Sequence, residues 1–110
     1  MVGYHSSKNK QVLDQLKQAG DSFTKVREID HFAYFPDQVR RMAFVTKSQA
    51  MGLRLRNMSE NGRSVHRYGV QLVQADIPTG QAMNDVTSKL ANLAEACGGE
   101  YDGWGCPVVR

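Results

Sequence analysis

The sequence has little cysteine and no long apolar run, and both shortages limit what the protein can be. Two cysteines, Cys97 and Cys106, are too few for a disulfide framework, and their spacing matches no metal-binding motif. No apolar stretch approaches the ~20 residues that a membrane-spanning helix needs. Residues 1–7 lack the apolar centre of a secretion signal. We therefore expect a cytoplasmic protein with reduced cysteines and no membrane association.

Recognisable catalytic motifs are also missing. The chain has no glycine-rich phosphate loop, no nucleophile elbow, and no His-x-x-x-His or Cys-x-x-Cys pair. His5, His31 and His66 are scattered along the sequence. His31 cannot form a dyad with Asp30, because adjacent residues of a strand point to opposite faces. These absences predict a protein that is not an enzyme and that uses no cofactor and no metal.

What the chain does have is an uneven distribution of charge. Its net charge is only +3, but residues 40–67 are strongly basic, whereas residues 76–102 are acidic. The two segments would present opposite electrostatic fields, which matters for the choice of a partner. A chain of 110 residues, 41% of them hydrophobic, fits one globular domain with a substantial core.

The first two predicted elements are a helix and a strand. Apolar residues at helical spacing indicate a short helix over residues 10–19, which Gly20 ends. We interpret this helix as a peripheral lead-in within residues 1–22. The β-branched and aromatic residues of segment 23–35 predict a strand, which Pro36 closes.

Two further helices are predicted, each with a capping residue at its start. Asp37 can cap a helix over residues 38–51, and Thr79 can cap another that ends at Gly98-Gly99. Each helix carries an apolar stripe of the kind that packs on a core. The stripes are Val39, Met42, Ala43, Thr46 and Ala50 in the first helix, and Met83, Val86, Leu90, Leu93, Ala94 and Cys97 in the second.

The middle of the chain predicts a β-hairpin. Residues 53–56 alternate as a half-buried strand does, and residues 65–75 return as a second strand. Between them, Asn61-Gly62 is the strongest short-range signal for a tight turn. Counting outward from a two-residue turn gives the pairs Glu60–Arg63, Asn57–His66, Arg56–Arg67, Leu55–Tyr68 and Leu53–Val70. The predicted core face then holds Leu53, Leu55, Tyr68, Val70 and Leu72, and the other face holds Arg54, Arg56 and Arg67.

The predicted order after the lead-in helix is β-α-β-β-α-β, where residues 101–104 and 107–109 supply a final strand or extended tail. This order predicts an α+β fold of the ferredoxin-like type. In that two-layer sandwich, two helices cover one face of a four-stranded antiparallel sheet. Residues 23–110 would form this domain.

The three arginines of the hairpin have two interpretations. Arg56 opposite Arg67 is unfavourable unless something neutralises the charge. In the favoured interpretation, Glu28 and Asp30 of the first strand lie across from the arginines. In the other, an acidic partner or a phosphate backbone fills the gap, and Arg54, Arg56 and Arg67 form an anion- or nucleic-acid-binding site.

The most distinctive stretch is Glu-Tyr-Asp-Gly-Trp-Gly-Cys at residues 100–106, which contains the only tryptophan. This stretch resembles the C-terminal EYDGW signature of the ribonuclease E inhibitor family, also called regulator of ribonuclease activity B. Residues 29–35, followed by Pro36-Asp37, are similar to the family's opening strand. The resemblance extends from residue 29 to residue 104, although the middle is similar only in pattern.

The resemblance implies a ferredoxin-like, non-catalytic protein that binds an endoribonuclease of the ribonuclease E type and lowers RNA cleavage. Glu100, Tyr101, Asp102 and Trp104 would then be partner-binding residues, with aromatic anchors beside carboxylates that suit a basic partner. Without the resemblance, the favoured interpretation of Trp104 is that it packs into the end of the core.

One departure from the family keeps other partners in consideration. The resemblance implies a strongly acidic protein, whereas this chain is net basic. The alternative function is therefore a basic module that binds RNA through the open face of the sheet. A third alternative is a homodimer that pairs through an exposed sheet face or edge.

Overall fold

The computed structural model describes residues 5–60 and 65–110 and has a mixed α+β architecture. Within these residues, three helices and four strands follow one another, and the strands form one antiparallel sheet. The predicted succession of elements is confirmed. The elements are α1 His5–Gln18, β1 Arg27–Phe35, α2 Gln38–Ala50, β2 Arg54–Ser59, β3 Tyr68–Asp76, α3 Gly80–Ala96 and β4 Glu100–Gly105.

The strand order in the sheet is β2-β3-β1-β4, so β1 and β3 are central and β2 and β4 are the edges. Alternate residues of β1 are buried, from Arg27 to Phe35. This buried face packs on the helices, since Phe35 shares a core cluster with Phe44 of α2 and Leu90 of α3. The residues of β1 that point the other way define the open face of the sheet, and they are Glu28, Asp30, Phe32 and Tyr34.

Both predicted helix caps are confirmed. The Asp37 carboxylate accepts a hydrogen bond from the backbone N–H of Arg40 at 2.8 Å. The Thr79 hydroxyl accepts one from the backbone N–H of Ala82 at 3.2 Å. Each cap satisfies one of the N–H groups that have no partner within the first turn, which fixes where α2 and α3 begin.

The predicted apolar stripe of α3 is also confirmed. Met83, Leu90 and Ala94 are completely buried, and other members of the stripe pack partly buried around the same cluster. After α3 the chain turns sharply to enter β4. A side chain at Gly99 would collide with the ring of Phe35 and with backbone, so a glycine is required where β4 meets β1.

The predicted stripe of α2 is wrong. Val39 and Met42 are exposed, at 80% and 44%, whereas the buried residues of α2 are Arg41, Phe44, Val45 and Ser48. The two stripes lie on opposite sides of the same helix, and the side that carries Phe44 and Val45 is the buried one. The Phe44 ring packs against that of Phe35, with centroids 4.9 Å apart.

Arg41 of α2 is buried because its side chain binds backbone carbonyl groups at the end of β2 and the start of β3. Its side chain is only 6% exposed, and its Nη1 donates hydrogen bonds to the carbonyl oxygens of Ser59 at 3.0 Å and Gly69 at 3.4 Å. The Glu60 carboxylate lies 3.4 Å from Nη2, and the guanidinium lies 5.4 Å from the centre of the Tyr68 ring. These contacts compensate the burial of a charge in the helical layer.

The hairpin of β2 and β3 forms, but the predicted register is wrong. Leu55 pairs with Leu72 rather than with Tyr68, a difference of four residues. An even shift leaves the side chains on the predicted faces. The pairing stops at Ser59 and Gly69, so the connection is longer than a two-residue turn. The Asn61-Gly62 turn and the Glu60–Arg63 pair lie outside the described residues.

A β-bulge at Arg56 reverses the face of the sheet to which the residues after it on β2 point. The register slips between Leu55 and Asn57, so Arg56 has no direct partner on β3 and does not face Arg67. Asn57 consequently pairs with Gln71 and turns to the open face.

The interpretation of α1 as a peripheral lead-in is wrong. The helix starts at His5, five residues before the predicted start, and it packs against α3. Two of its side chains, Asn9 and Leu16, are buried at 2% and 6% exposure. Among residues 8–18 of α1, whose burial the structure describes, one of the two buried side chains is an asparagine, which explains why the sequence pattern is only weakly amphipathic.

A buried ion pair joins the segment after α1 to the end of the chain. The Asp21 carboxylate accepts two hydrogen bonds from the Arg27 guanidinium and another from the backbone N–H of Val109. The Arg27 guanidinium holds the pKa of Asp21 well below its usual range. Of the two predicted alternatives for residues 107–109, a strand or an extended tail, the structure has the extended tail, held by a backbone hydrogen bond from Ser22 N–H to the Val109 carbonyl oxygen.

Candidate functional site

The distinctive segment of residues 100–105 forms β4, an edge strand that pairs only with β1 among the described strands. The strand contains a bulge, because Ala33 pairs with Tyr101 and Phe32 pairs with Gly103. Asp102 is therefore the additional residue. Gly103 has a φ of 123°, a backbone conformation that residues with side chains rarely adopt.

The bulge determines where the two aromatic side chains point. In a regular strand, residues three apart face opposite sides. Here Tyr101 lies opposite Ala33 and Trp104 lies opposite His31, both of which belong to the buried face of β1. Tyr101 and Trp104 therefore both face the helical layer.

Tyr101 is anchored to His31 in the core. The Tyr101 hydroxyl lies 2.8 Å from His31 Nδ1, and the two ring centroids are 6.0 Å apart. Burial raises the pKa of Tyr101 above its ordinary value, and the nearby Asp102 carboxylate adds to this effect. The phenol is thus a neutral hydrogen-bond donor. The Tyr101 side chain both holds β4 to the core through His31 and lines the surface.

His31 is 1% exposed and has a hydrogen-bond partner on each ring nitrogen. Gln74 Oε1 lies 2.8 Å from Nε2, and Gln74 Nε2 in turn donates to Asp76 at 3.3 Å. With its amide in this orientation, Gln74 accepts from Nε2–H, so Nδ1 accepts from Tyr101. Burial lowers the pKa of His31, which keeps the ring neutral.

Trp104 is half-buried and is held by α1. Its indole Nε1 donates a hydrogen bond to Asn9 Oδ1 at 2.8 Å. Asn9 Nδ2 donates to Asn84 Oδ1 at 2.8 Å and contacts Thr87 Oγ1 at 2.9 Å. One buried asparagine therefore connects α1, α3 and the edge strand.

A cleft of about 290 Å³ lies between α1 and β4. We call it the α1–β4 cleft; one wall carries the rings of Tyr101 and Trp104. Lys8 and Asp102 place opposite charges at its sides. Asp102 is exposed, whereas the two rings are half-buried. The cleft combines apolar ring surface with a carboxylate, which is a chemistry suited to binding rather than to bond cleavage.

Glu100 lies at the start of β4 and points to the open face, opposite Tyr34. Its side chain is 61% exposed, and its carboxylate lies 3.7 Å from Nδ1 of His66. Of the four predicted partner-binding residues, Glu100 and Asp102 are therefore accessible, while Tyr101 and Trp104 hold the strand in place.

The arginines of the hairpin do not form one cluster. Arg54 lies 2.9 Å from the Glu28 carboxylate, and Arg56 lies 2.6 Å from Glu28 and 3.0 Å from Asp30. The carboxylates of β1 thus lie across from two of the arginines, which is the favoured arrangement of the sequence analysis. Arg56 and Arg54 lower the pKa of Glu28 through these hydrogen bonds. Arg67 is separate and exposed, with its guanidinium 5.5 Å from the centre of the Tyr68 ring.

Sequence reasoning missed the buried polar side chains that support the site. Asn9 lies between two lysines on a polar helix, so no local pattern distinguishes it. Gln74 lies between Val73 and Ala75 on β3, and nothing in its own neighbourhood indicates that it meets His31. Both contacts depend on long-range packing.

No group of three or more His, Cys, Asp or Glu side chains in residues 5–60 and 65–110 is arranged to hold a metal ion. No helix within these ranges is both long and apolar enough to cross a membrane.

Comparison with known proteins identifies one family. A family model described as "Regulator of ribonuclease activity B" matches residues 6–106. The match extends beyond the resemblance over residues 29–104 and includes α1 almost completely. Comparison with curated proteins gives no match.

Proposed function

The chain belongs to the regulator of ribonuclease activity B family, and from this premise we propose that it binds and inhibits an endoribonuclease of the ribonuclease E type. The observation that carries the proposal is the match over residues 6–106. The family's description concerns regulation of ribonuclease activity, and that description supports action by binding rather than by catalysis. The choice of a ribonuclease E-type enzyme comes from the EYDGW signature.

We place the contact with the ribonuclease at β4 and the α1–β4 cleft. Asp102 would provide an exposed carboxylate at the cleft, and Glu100 would provide a second one on the open-face side of β4. The cleft between Asp102 and α1 would receive an apolar side chain of the partner against Tyr101 and Trp104. Aromatic residues in a cleft with a charged rim are typical of the centres of protein interfaces. The two rings would act mainly by fixing the strand.

Local charge favours a basic partner segment at this site. The whole chain has a net charge of +3, which would slow the approach of another basic surface. On β4 itself, however, Glu100 and Asp102 are the only charged residues. Screening limits interactions between exposed charges to about 8–10 Å at ordinary salt, so a basic segment that lies against β4 would be attracted by these carboxylates and would avoid Lys8 on the α1 side of the cleft.

The ferredoxin-like classification is part of the proposal. It is supported by the succession β-α-β-β-α-β and by the order β2-β3-β1-β4 of the antiparallel sheet. The helix α1 is an addition to this arrangement, and it forms one wall of the proposed interface. This fold hosts many functions, so the family match and the site carry the functional argument.

A binding titration tests the proposal. The labelled chain is titrated with the noncatalytic region of a ribonuclease E-type enzyme, and fluorescence anisotropy reports complex formation. We expect saturable binding that the double change Glu100→Gln and Asp102→Asn weakens about fivefold or more.

A control on α3 separates the site from the overall charge, and it is matched in charge to each of the single changes Glu100→Gln and Asp102→Asn. Glu95 is exposed on α3, outside the cleft, and Glu95→Gln changes the net charge without changing β4. Binding should remain within about twofold for this variant. Absence of any binding to the ribonuclease would refute the proposed function. Equal weakening by Glu95→Gln and by each β4 change would refute the proposed site.

A further inference from the structure

A second concave surface lies on the open face of the sheet, on the other side from the α1–β4 cleft. It is a shallow trough of about 200 Å³. We call it the open-face trough, and its lining includes Phe32, Tyr34, Asn57, Ser59, Gly69 and Gln71. Neither the helices nor the proposed ribonuclease contact accounts for this set of side chains.

The floor of the trough is aromatic and is uncovered towards β4. Phe32 is half-buried in the central strand, and its neighbour across the β1–β4 pair is Gly103. A Cβ atom added at Gly103 or Gly105 would meet nothing within 4 Å. Tyr34 lies across Gly69, since a Cβ added there would be 2.8 Å from the Tyr34 ring. Gly103 thus leaves space beside Phe32 on the β4 side, where a flat ligand could approach the ring, whereas the Tyr34 ring lies over Gly69.

Amide side chains line the opposite side of the trough. Asn57 and Gln71 are direct cross-strand partners, and Ser59 faces Gly69 one step further along. The β-bulge at Arg56 turns Asn57 and Ser59 towards the open face. Amide groups offer both donors and acceptors. An aromatic floor beside paired amides suits a flat ring with a polar edge, as a nucleobase has.

The charges around the trough favour a ligand held mainly by its base. Arg54 and Arg56 are paired with Glu28 and Asp30, so these four groups have no net charge. Arg54 is nevertheless 66% exposed and contacts Glu28 through one nitrogen, which leaves its guanidinium able to meet one phosphate. A long phosphate backbone would find little further attraction here.

We propose that the open-face trough binds a nucleobase of single-stranded RNA, which stacks on Phe32 and is read along its edge by Asn57 and Gln71. Arg54 contacts the adjoining phosphate. The choice of RNA as the base-bearing ligand rests on the proposed function, because a regulator of a ribonuclease acts where single-stranded RNA is present. The trough, at about 200 Å³, has room for one base.

Anisotropy with a labelled RNA oligonucleotide of about ten nucleotides tests the inference. Phe32→Leu keeps an apolar side chain but removes the aromatic face, and it should weaken RNA binding about tenfold, within the range measured for single base-stacking contacts. Because one phosphate is neutralised, the logarithm of the binding constant should fall with the logarithm of salt concentration with a slope of about −0.7.

Two controls make the result decisive. Val39→Ala changes an exposed side chain on α2, on the other side of the sheet, and should leave RNA binding unchanged. Phe32→Leu should leave ribonuclease binding unchanged, so that failure of this inference and failure of the proposed function are separate results. Absence of RNA binding would overturn the inference. So would a steep salt dependence with no effect of Phe32→Leu, since the trough would then not be the site.

Discussion

Tyr101 and Trp104 face the same side of the sheet, although their spacing would place them on opposite faces of a regular strand. The β-bulge at Asp102 makes this arrangement, and Gly103 supplies the backbone conformation that the bulge needs. The consequence is that one ring reaches His31 in the core while the other reaches Asn9 on α1. The segment therefore fixes an edge strand and leaves its carboxylates accessible.

Because of the bulge, we expect an alanine to destabilise the protein more at Gly103 than at Gly105. Gly103→Ala should lower the free energy of unfolding by about 1–3 kcal/mol, because the φ of 123° is strained for alanine. Gly105→Ala should change it much less, because an added Cβ meets nothing and Gly105 has no positive φ. Urea unfolding of both variants measures the difference. Equal effects at the two positions would contradict the account of the bulge.

Asn9 and Trp104 should be energetically coupled. Asn9→Ala removes the acceptor of the indole N–H and two further contacts, so we expect a loss of about 1–3 kcal/mol in stability. In a double-mutant cycle with Trp104→Phe, the coupling energy should be about 0.5 kcal/mol or more. A coupling energy of zero would mean that α1 does not hold the edge strand through this contact.

The buried His31 predicts that stability falls in mild acid. Burial lowers its pKa below the ordinary 6.5, so the unfolded chain takes up the proton at a higher pH than the folded protein. The contribution is complete above pH 6.5 and is lost as the pH falls from there towards the folded pKa, by at most about 1.4 kcal/mol per pH unit.

Unfolding in urea at several pH values between about 5 and 7 measures this dependence. His31→Gln can keep hydrogen-bonding groups at the position but cannot be protonated in this range. The variant should therefore lose part of the pH dependence, whatever its stability at neutral pH. An identical pH profile for the variant and the unaltered protein would show that His31 does not titrate in this way.

The buried and the exposed ion pairs of the protein should differ sharply in how much they contribute to the free energy of unfolding. Asp21→Asn leaves the buried Arg27 guanidinium without its charged partner, and we expect a loss of about 3–5 kcal/mol. Glu28→Gln also removes a carboxylate that contacts arginine, but this pair is exposed and its effect should be far smaller. Thermal or urea unfolding compares the two. Similar losses would mean that burial does not control the strength of these pairs.

Local signals in the sequence are sufficient to predict much of the fold. Asp37 and Thr79 marked the starts of α2 and α3, because capping is a property of a few adjacent residues. The stripe of α3 was unambiguous, since its large apolar residues lie on one side. Glu28 and Asp30 were expected to meet the hairpin arginines because like charges needed neutralising, and they do meet Arg54 and Arg56.

The errors arose where a choice depended on distant parts of the chain. α2 has two stripes that could pack, and the buried one is the one whose Phe44 packs against Phe35, a contact between distant parts of the sequence. The register of β2 and β3 depends on the length of the connection and on the bulge at Arg56, neither of which a turn dipeptide determines. The role of Asn9 follows from a contact 95 residues away, with Trp104.

The most direct test of the central claim is the rate at which a purified ribonuclease E-type enzyme cleaves a single-stranded RNA, with and without this chain. The account predicts that the rate falls in a saturable manner as the chain is added. It also predicts that the folded double variant Glu100→Gln, Asp102→Asn inhibits less well than Glu95→Gln. An unchanged cleavage rate at saturating concentrations of the chain would contradict the claim that it is an inhibitor of this enzyme.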